Sequence, residues 1–135
     1  MRIVLDTNVL VSGLLSEAGP PGRIVSLIPE NVFVPCFDAR ILEEYRDVLL
    51  RPHLGIAPAR VERLLADLEE EGEAVVGRPL PHRLPDPADE PFLEVAIAAG
   101  AEFLVTGNLR DFPARLRHGV AVVSPRDFLD FLRRR

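Results

Sequence analysis

Arg2-Ile3-Val4-Leu5 runs without a break into Asp6-Thr7-Asn8, after which Val9, Leu10 and Val11 turn apolar again. A short run of branched apolar residues marks a strand buried on both faces, and such strands belong in the middle of a parallel sheet. Asp6 then stands at the strand's carboxyl end. That edge is where open α/β sheets bind ligands, because the strand stops there and the following loop leaves a crevice. A carboxylate in that position is costly to bury without a cationic partner, and a metal ion is the simplest one. Capping of the helix that begins near Val9 explains Asp6 equally well, so its meaning depends on which other residues join it.

The remainder of the chain alternates helical and extended patterns. Helices are expected over 10–15 and 23–28, parted by the Gly19-Pro20-Pro21-Gly22 turn, and a strand over 31–35. Asp38 caps a helix reaching about Leu50 and ended by Pro52. Pro58 opens another, whose stripe of Val61, Leu64, Leu65 and Leu68 runs to Gly72. A strand over 74–76 precedes a loop over 77–91 that holds five prolines. A helix from Asp89 or Glu90 to Ala99, a strand over 102–106, a loop with a short helix over 107–117 and a strand over 120–123 follow. The last helix starts with Ser124 as its cap and Asp127 three residues on. The alternation predicts a three-layer α/β/α sandwich with a mainly parallel central sheet, as one domain over 1–135.

The three carboxylates that matter most are distant in sequence. At about 100° per residue, Ile41, Leu42, Tyr45, Val48 and Leu49 share one side of their helix. Glu43 lies opposite them and faces water, while Glu44 lies on the flank and can reach a crevice above the sheet; an exposed pair with Arg51 is the competing reading. Asp89 falls on the apolar stripe of Phe92, Leu93, Ala96 and Ala99, at the helix start, where a cap is again the competing reading. Asp86 and Glu90 are neighbours expected to be solvated. Val105-Thr106-Gly107-Asn108 ends a second buried strand in a polar loop. If that strand adjoins the first, Asn108 and Asp6 share an edge within reach of Asp111. Thr7 and Thr106, the only threonines, both follow buried strands; their hydroxyls suit a carboxylate, a water or a phosphate, and simple turn chemistry explains them as well.

In this order and spacing, RIVLDTN with Asp6, LEEYRDVLLRP with Glu44, DPADEPFLEVA with Asp89 and LVTGN with Asn108 resemble the PIN domain family over nearly the whole chain. The resemblance implies a parallel sheet flanked by helices, an acidic pocket holding Mg²⁺ or Mn²⁺, and cleavage of single-stranded RNA. It implies Asp6, Glu44 and Asp89 as catalytic metal ligands, direct or through water, with Asn108 and Asp111 completing the metal-binding set and Thr7, Asn8 and Thr106 in support. Small stand-alone members are often toxins paired with an antitoxin protein, and usually form homodimers. Oxygen donors suit hard divalent ions, which activate water and offset phosphodiester charge, so no side chain has to attack covalently. Many relatives carry aspartate where this chain has Asn108. The amide removes one negative charge, with Asp111 as a substitute, so the expectation is one metal or a weakly occupied second.

Composition narrows the rivals. A net charge of −5 argues against indiscriminate nucleic-acid binding, though not against a nuclease with an acidic, metal-filled pocket. All 16 basic residues are arginine. A receiver-type phosphoacceptor domain needs a lysine after a late strand, and there is none. Cys36 stands alone, with no disulfide partner and no thiolate cluster, as a small buried hydrophobe. His53, His82 and His118 are scattered over loops without ligand spacing. The glycines match no phosphate loop. No apolar run nears the roughly 20 residues of a membrane span, and a cytoplasmic location is expected. The strongest alternative is a catalytically silent PIN-like module that binds RNA or protein.

Overall fold

The computed structural model describes residues 1–135. Five strands, β1 (Arg2–Leu5), β2 (Val34–Phe37), β3 (Glu73–Ala74), β4 (Phe103–Val105) and β5 (Ala121–Val123), form one sheet in the order β3-β2-β1-β4-β5, all parallel. Ile3, Val4 and Leu5 point to alternate faces, yet each is no more than 1% exposed. Both faces of the sheet are therefore covered, as a β-branched run without polar alternation requires. Six helices supply the cover: α1 (Thr7–Leu15), α2 (Pro20–Leu27), α3 (Ala39–Leu49), α4 (Pro58–Glu71), α5 (Glu90–Ala99) and α6 (Pro125–Arg134). Helix α5 lies across β1, β2 and β4, α4 touches β2, and α2 packs on α6. This is the expected α/β sandwich. No helix is long and apolar enough to cross a membrane.

Local chemistry sets the boundaries, and several differ from expectation. Helix α1 starts at Thr7 because Asp6, extended at φ −66° and ψ 148°, caps it directly. Helix α2 starts at Pro20, since two prolines suit a first turn whose N–H groups have no partner anyway. A 3₁₀ turn at Ile28–Glu30 prolongs α2 and ends on Asn31 at φ 59°, a left-handed conformation asparagine tolerates, so β2 begins only at Val34, which pairs with Arg2. Strand β3 sits at the sheet's edge with one neighbour. It ends at Ala74, and Val76, expected within the strand, is 87% exposed.

Two features lock the β1–β2–β3 side. The Tyr45 hydroxyl donates to the carbonyl oxygen of Leu5 at 2.5 Å, which ties α3 to the end of β1. Gly72, where α4 turns into β3, leaves no room for a side chain: a Cβ there would stand 2.4 Å from the carbonyl oxygens of both Leu68 and Pro35. Gly72→Ala should destabilise the fold by about 2 kcal/mol through forced displacement of backbone, read as a lower urea midpoint at unchanged slope. An unchanged midpoint would refute the close approach.

Candidate metal centre

Strands β1 and β4 are neighbours, with Leu5 opposite Val105, so the residues that follow them, Asp6 and Thr106, emerge side by side at the carboxyl edge of the sheet. The Asp6 N–H donates to the Val105 carbonyl at 2.9 Å. Its carboxylate is then fixed from three directions. The Thr7 N–H donates to Oδ1 at 2.8 Å, the Thr106 hydroxyl donates to Oδ2 at 2.8 Å, and the Asn8 amide donates to Oδ2 at 3.3 Å. Asn8 also accepts from the Gly107 N–H at 2.9 Å, so it bridges the two loops that leave β1 and β4. Gly107 permits this approach, because a Cβ there would lie 3.3 Å from the Asn8 oxygen.

Two further acids meet Asp6. One carboxylate oxygen each from Asp6, Asp89 and Asp111 lies within 4.8 Å of the others, with Asp6 buried and the other two half-buried. Asp89 stands just before α5 and makes no side-chain capping bond; Asp86 accepts from the Ala88 N–H instead, at 2.9 Å. The capping explanation of Asp89 therefore fails. Asp111 closes a 3₁₀ turn at Leu109–Asp111 and accepts the Asn108 side-chain amide at 3.1 Å, while the Asn108 N–H donates to the Thr106 hydroxyl oxygen at 3.0 Å. Asn108 thus spends its amide on orienting Asp111.

Glu44 stands outside this trio. The Thr7 hydroxyl donates to it, and its charge is close enough to raise the pKa of both Asp6 and Asp89. It makes no pair with Arg51, which reaches Asp47 at 3.3 Å. Glu43 is exposed. Glu90, expected in water, is buried instead: it pairs with Arg83 at 2.9 Å and accepts the Leu84 N–H at 2.9 Å. Those contacts hold its pKa below the usual range, the Arg83 hydrogen bond first. The reason is its place at the foot of the proline-rich loop, where buried Leu84 brings its own N–H inside. Sequence reasoning also missed the Tyr45 hydroxyl, counted only as part of an apolar stripe; the signal was a lone tyrosine next to Glu44. His82 and His118, read as scattered, lie with parallel rings 6.3 Å apart.

The electrostatics leave the site short of positive charge. Burial raises the Asp6 pKa to about 6, against the opposing hydrogen bonds from Thr106 and Thr7. Burial, then the charges of Asp111 and Asp6, raise that of Asp89 to about 7. None of the ion pairs in the structure involves Asp6, Asp89 or Asp111. An all-oxygen donor set of this kind fits a hard divalent cation such as Mg²⁺ or Mn²⁺. Cys36 is buried in β2 and gives the site no soft donor.

The sign of the linkage follows from the raised values. A folded state that holds protons more tightly than the unfolded one loses stability as pH rises, here between about 4 and 7. Asp89→Asn should therefore stabilise the metal-free protein at pH 8 by about 1 kcal/mol, the full shift being cut by solvent screening at a half-exposed group. In the unsubstituted protein the rise in Tm on adding Mn²⁺ should be larger at pH 7.5 than at pH 5, and in Asp89→Asn it should shrink at both. A thermal shift that ignores pH and survives the substitution would place the ion elsewhere.

Comparison with known proteins agrees with this geometry. An uncharacterized protein of Methanocaldococcus jannaschii is 29% identical over 141 aligned positions, which cover 96% of this chain and 90% of the relative. The family model described as the PIN domain matches residues 2–110, a span that includes Asp6, Glu44, Asp89 and Asn108 and stops one residue before Asp111. PIN domains are in general metal-dependent nucleases. With that match across most of its length, and with acids converging at the carboxyl edge of a parallel sheet, the chain belongs to the PIN domain family.

Proposed function

We propose that this protein is an endoribonuclease that hydrolyses phosphodiester bonds of single-stranded RNA with Mg²⁺ or Mn²⁺. The observation that carries the reading is Asp89, a carboxylate with no capping bond that meets Asp6 and Asp111 within 4.8 Å, raised to a pKa of about 7 by burial and by four neighbouring acids. Such an arrangement costs folding free energy at neutral pH, and a proton or a cation relieves it.

Asp6, Asp89 and Asp111 would hold the ion, and Glu44 would reach it through water. The ion supplies a lower pKa for the attacking water and positive charge against the phosphodiester. The protein's own part is positional. Thr106 and Thr7 fix the two oxygens of Asp6, the Thr7 hydroxyl aims Glu44, and Asn108 aims Asp111. With Asp111 present, the charge that Asn108 lacks relative to aspartate is made up three residues later, which favours an active enzyme over a silent module. Family membership supports the extension to a cytoplasmic toxin that forms a homodimer and is restrained by a separate antitoxin protein.

Incubation of purified protein with unstructured RNA and Mn²⁺ should give cleavage that EDTA stops. Asp6→Asn and Asp89→Asn should each lower the rate by at least about 100-fold, and Glu44→Gln by about 10-fold or more. Equal cleavage by the parent and Asp6→Asn would mean a contaminating nuclease, and no cleavage by either would leave a binding role.

A further inference from the structure

RNA needs holding as well as cutting, and the usual means of gripping a single strand are stacking on exposed rings and contacts to phosphate. Stacking finds little here. The chain has no tryptophan, and none of its seven phenylalanines nor its one tyrosine is exposed. The exposed rings of His82 and His118 lie parallel to one another, 6.3 Å apart. Affinity is left to guanidinium groups.

Many of the arginines are already engaged: Arg40 with Asp38 and Glu94, Arg46 with Glu62, Arg83 with Glu90. Arg23, Arg126 and Arg133 are different. All three are exposed, none takes part in an ion pair, and all three line one cleft of about 320 Å³ between the start of α2 and the length of α6. Gly19 and Pro20 form its other wall, and Asp130 is the single acid in it, leaving a local charge of positive sign on a molecule of net −5. Prolines at the first two positions of α2 remove backbone donors there, so the side chains are what an anion would meet. The spacing of the three along two helices makes a row rather than a point, and α6 begins directly after β5, whose Val123 pairs with Val105 at the edge that carries Asp6 and Thr106.

We infer that this cleft binds the phosphate backbone of single-stranded RNA away from the acidic centre and so positions the strand for cleavage. The inference rests on the ribonuclease reading for the identity of its ligand. Contacts of this kind carry little sequence information. Base preference at this cleft should be weak, and binding should depend steeply on salt.

The test is fluorescence anisotropy with a labelled 12-nucleotide oligouridylate in EDTA, where no cleavage occurs, over a series of salt concentrations. Each of Arg23→Gln, Arg126→Gln and Arg133→Gln should weaken binding and reduce the slope of log K against log salt by about 0.7, and the triple variant by about 2. Mn²⁺ affinity of the triple variant, measured by calorimetry without RNA, should equal that of the parent. The control Arg46→Gln/Arg51→Gln removes the same kind of charge from α3 and its end, and should leave the slope unchanged. A triple variant that binds as the parent does, or a control that loses as much as the triple variant, would overturn the cleft. So would displacement of the RNA by poly-glutamate at equal charge, which would assign the cleft to an acidic polypeptide. Mn²⁺-dependent cleavage with an unaltered triple-variant slope removes the cleft and leaves the nuclease standing; loss of slope without any cleavage does the reverse.

Discussion

The contact on which the site depends is the pairing of β1 with β4, which delivers Asp6 and Thr106 to the same edge with backbone precision. A carboxylate so deep in the fold would ordinarily be expelled or neutralised. Here a hydroxyl, a backbone N–H and an amide compensate it in part, and they do so because the two strands stand next to each other. Thr7 and Asn8 then extend the arrangement outward, one to Glu44 on α3 and the other to Gly107 beyond β4. Three segments far apart in sequence are joined by short polar side chains around one buried charge.

What those bonds do not supply is positive charge. Hydrogen bonds orient Asp6 and Asp111, yet Asp89 meets only other acids, and Arg83, the arginine nearest to it in sequence, is committed to Glu90. A structural ion-pair network would have balanced itself internally. This cluster is balanced only from outside, by protons or by a cation, and perturbed acids gathered in a crevice are the pattern expected of a functional site.

Much of this is legible in the amino-acid sequence, for identifiable reasons. Ile3-Val4-Leu5 and Leu104-Val105 are apolar on consecutive residues, which fixes both as central strands and sets their polar successors at the ligand-binding edge. Helical periodicity separates Glu43 from Glu44 correctly. Periodicity cannot resolve what irregular backbone does. The descent of Glu90 into the interior with Arg83 and Leu84 and the meeting of His82 with His118 depend on loops whose course follows no repeating pattern. Strand ends were missed for the same cause: a left-handed Asn31 and an edge strand of two residues leave no mark that propensity can read.

Tyr45 has one more consequence. With no tryptophan in the chain and a single tyrosine, all the tyrosine emission of the molecule arises from one ring. That ring is buried, its hydroxyl is kept protonated by burial first and by the charges of Asp6 and Glu44 next, and it is bonded to the carbonyl of the residue preceding Asp6. The one tyrosine thus stands directly behind the acids, where its emission offers an unlabelled probe of an ion settling among them.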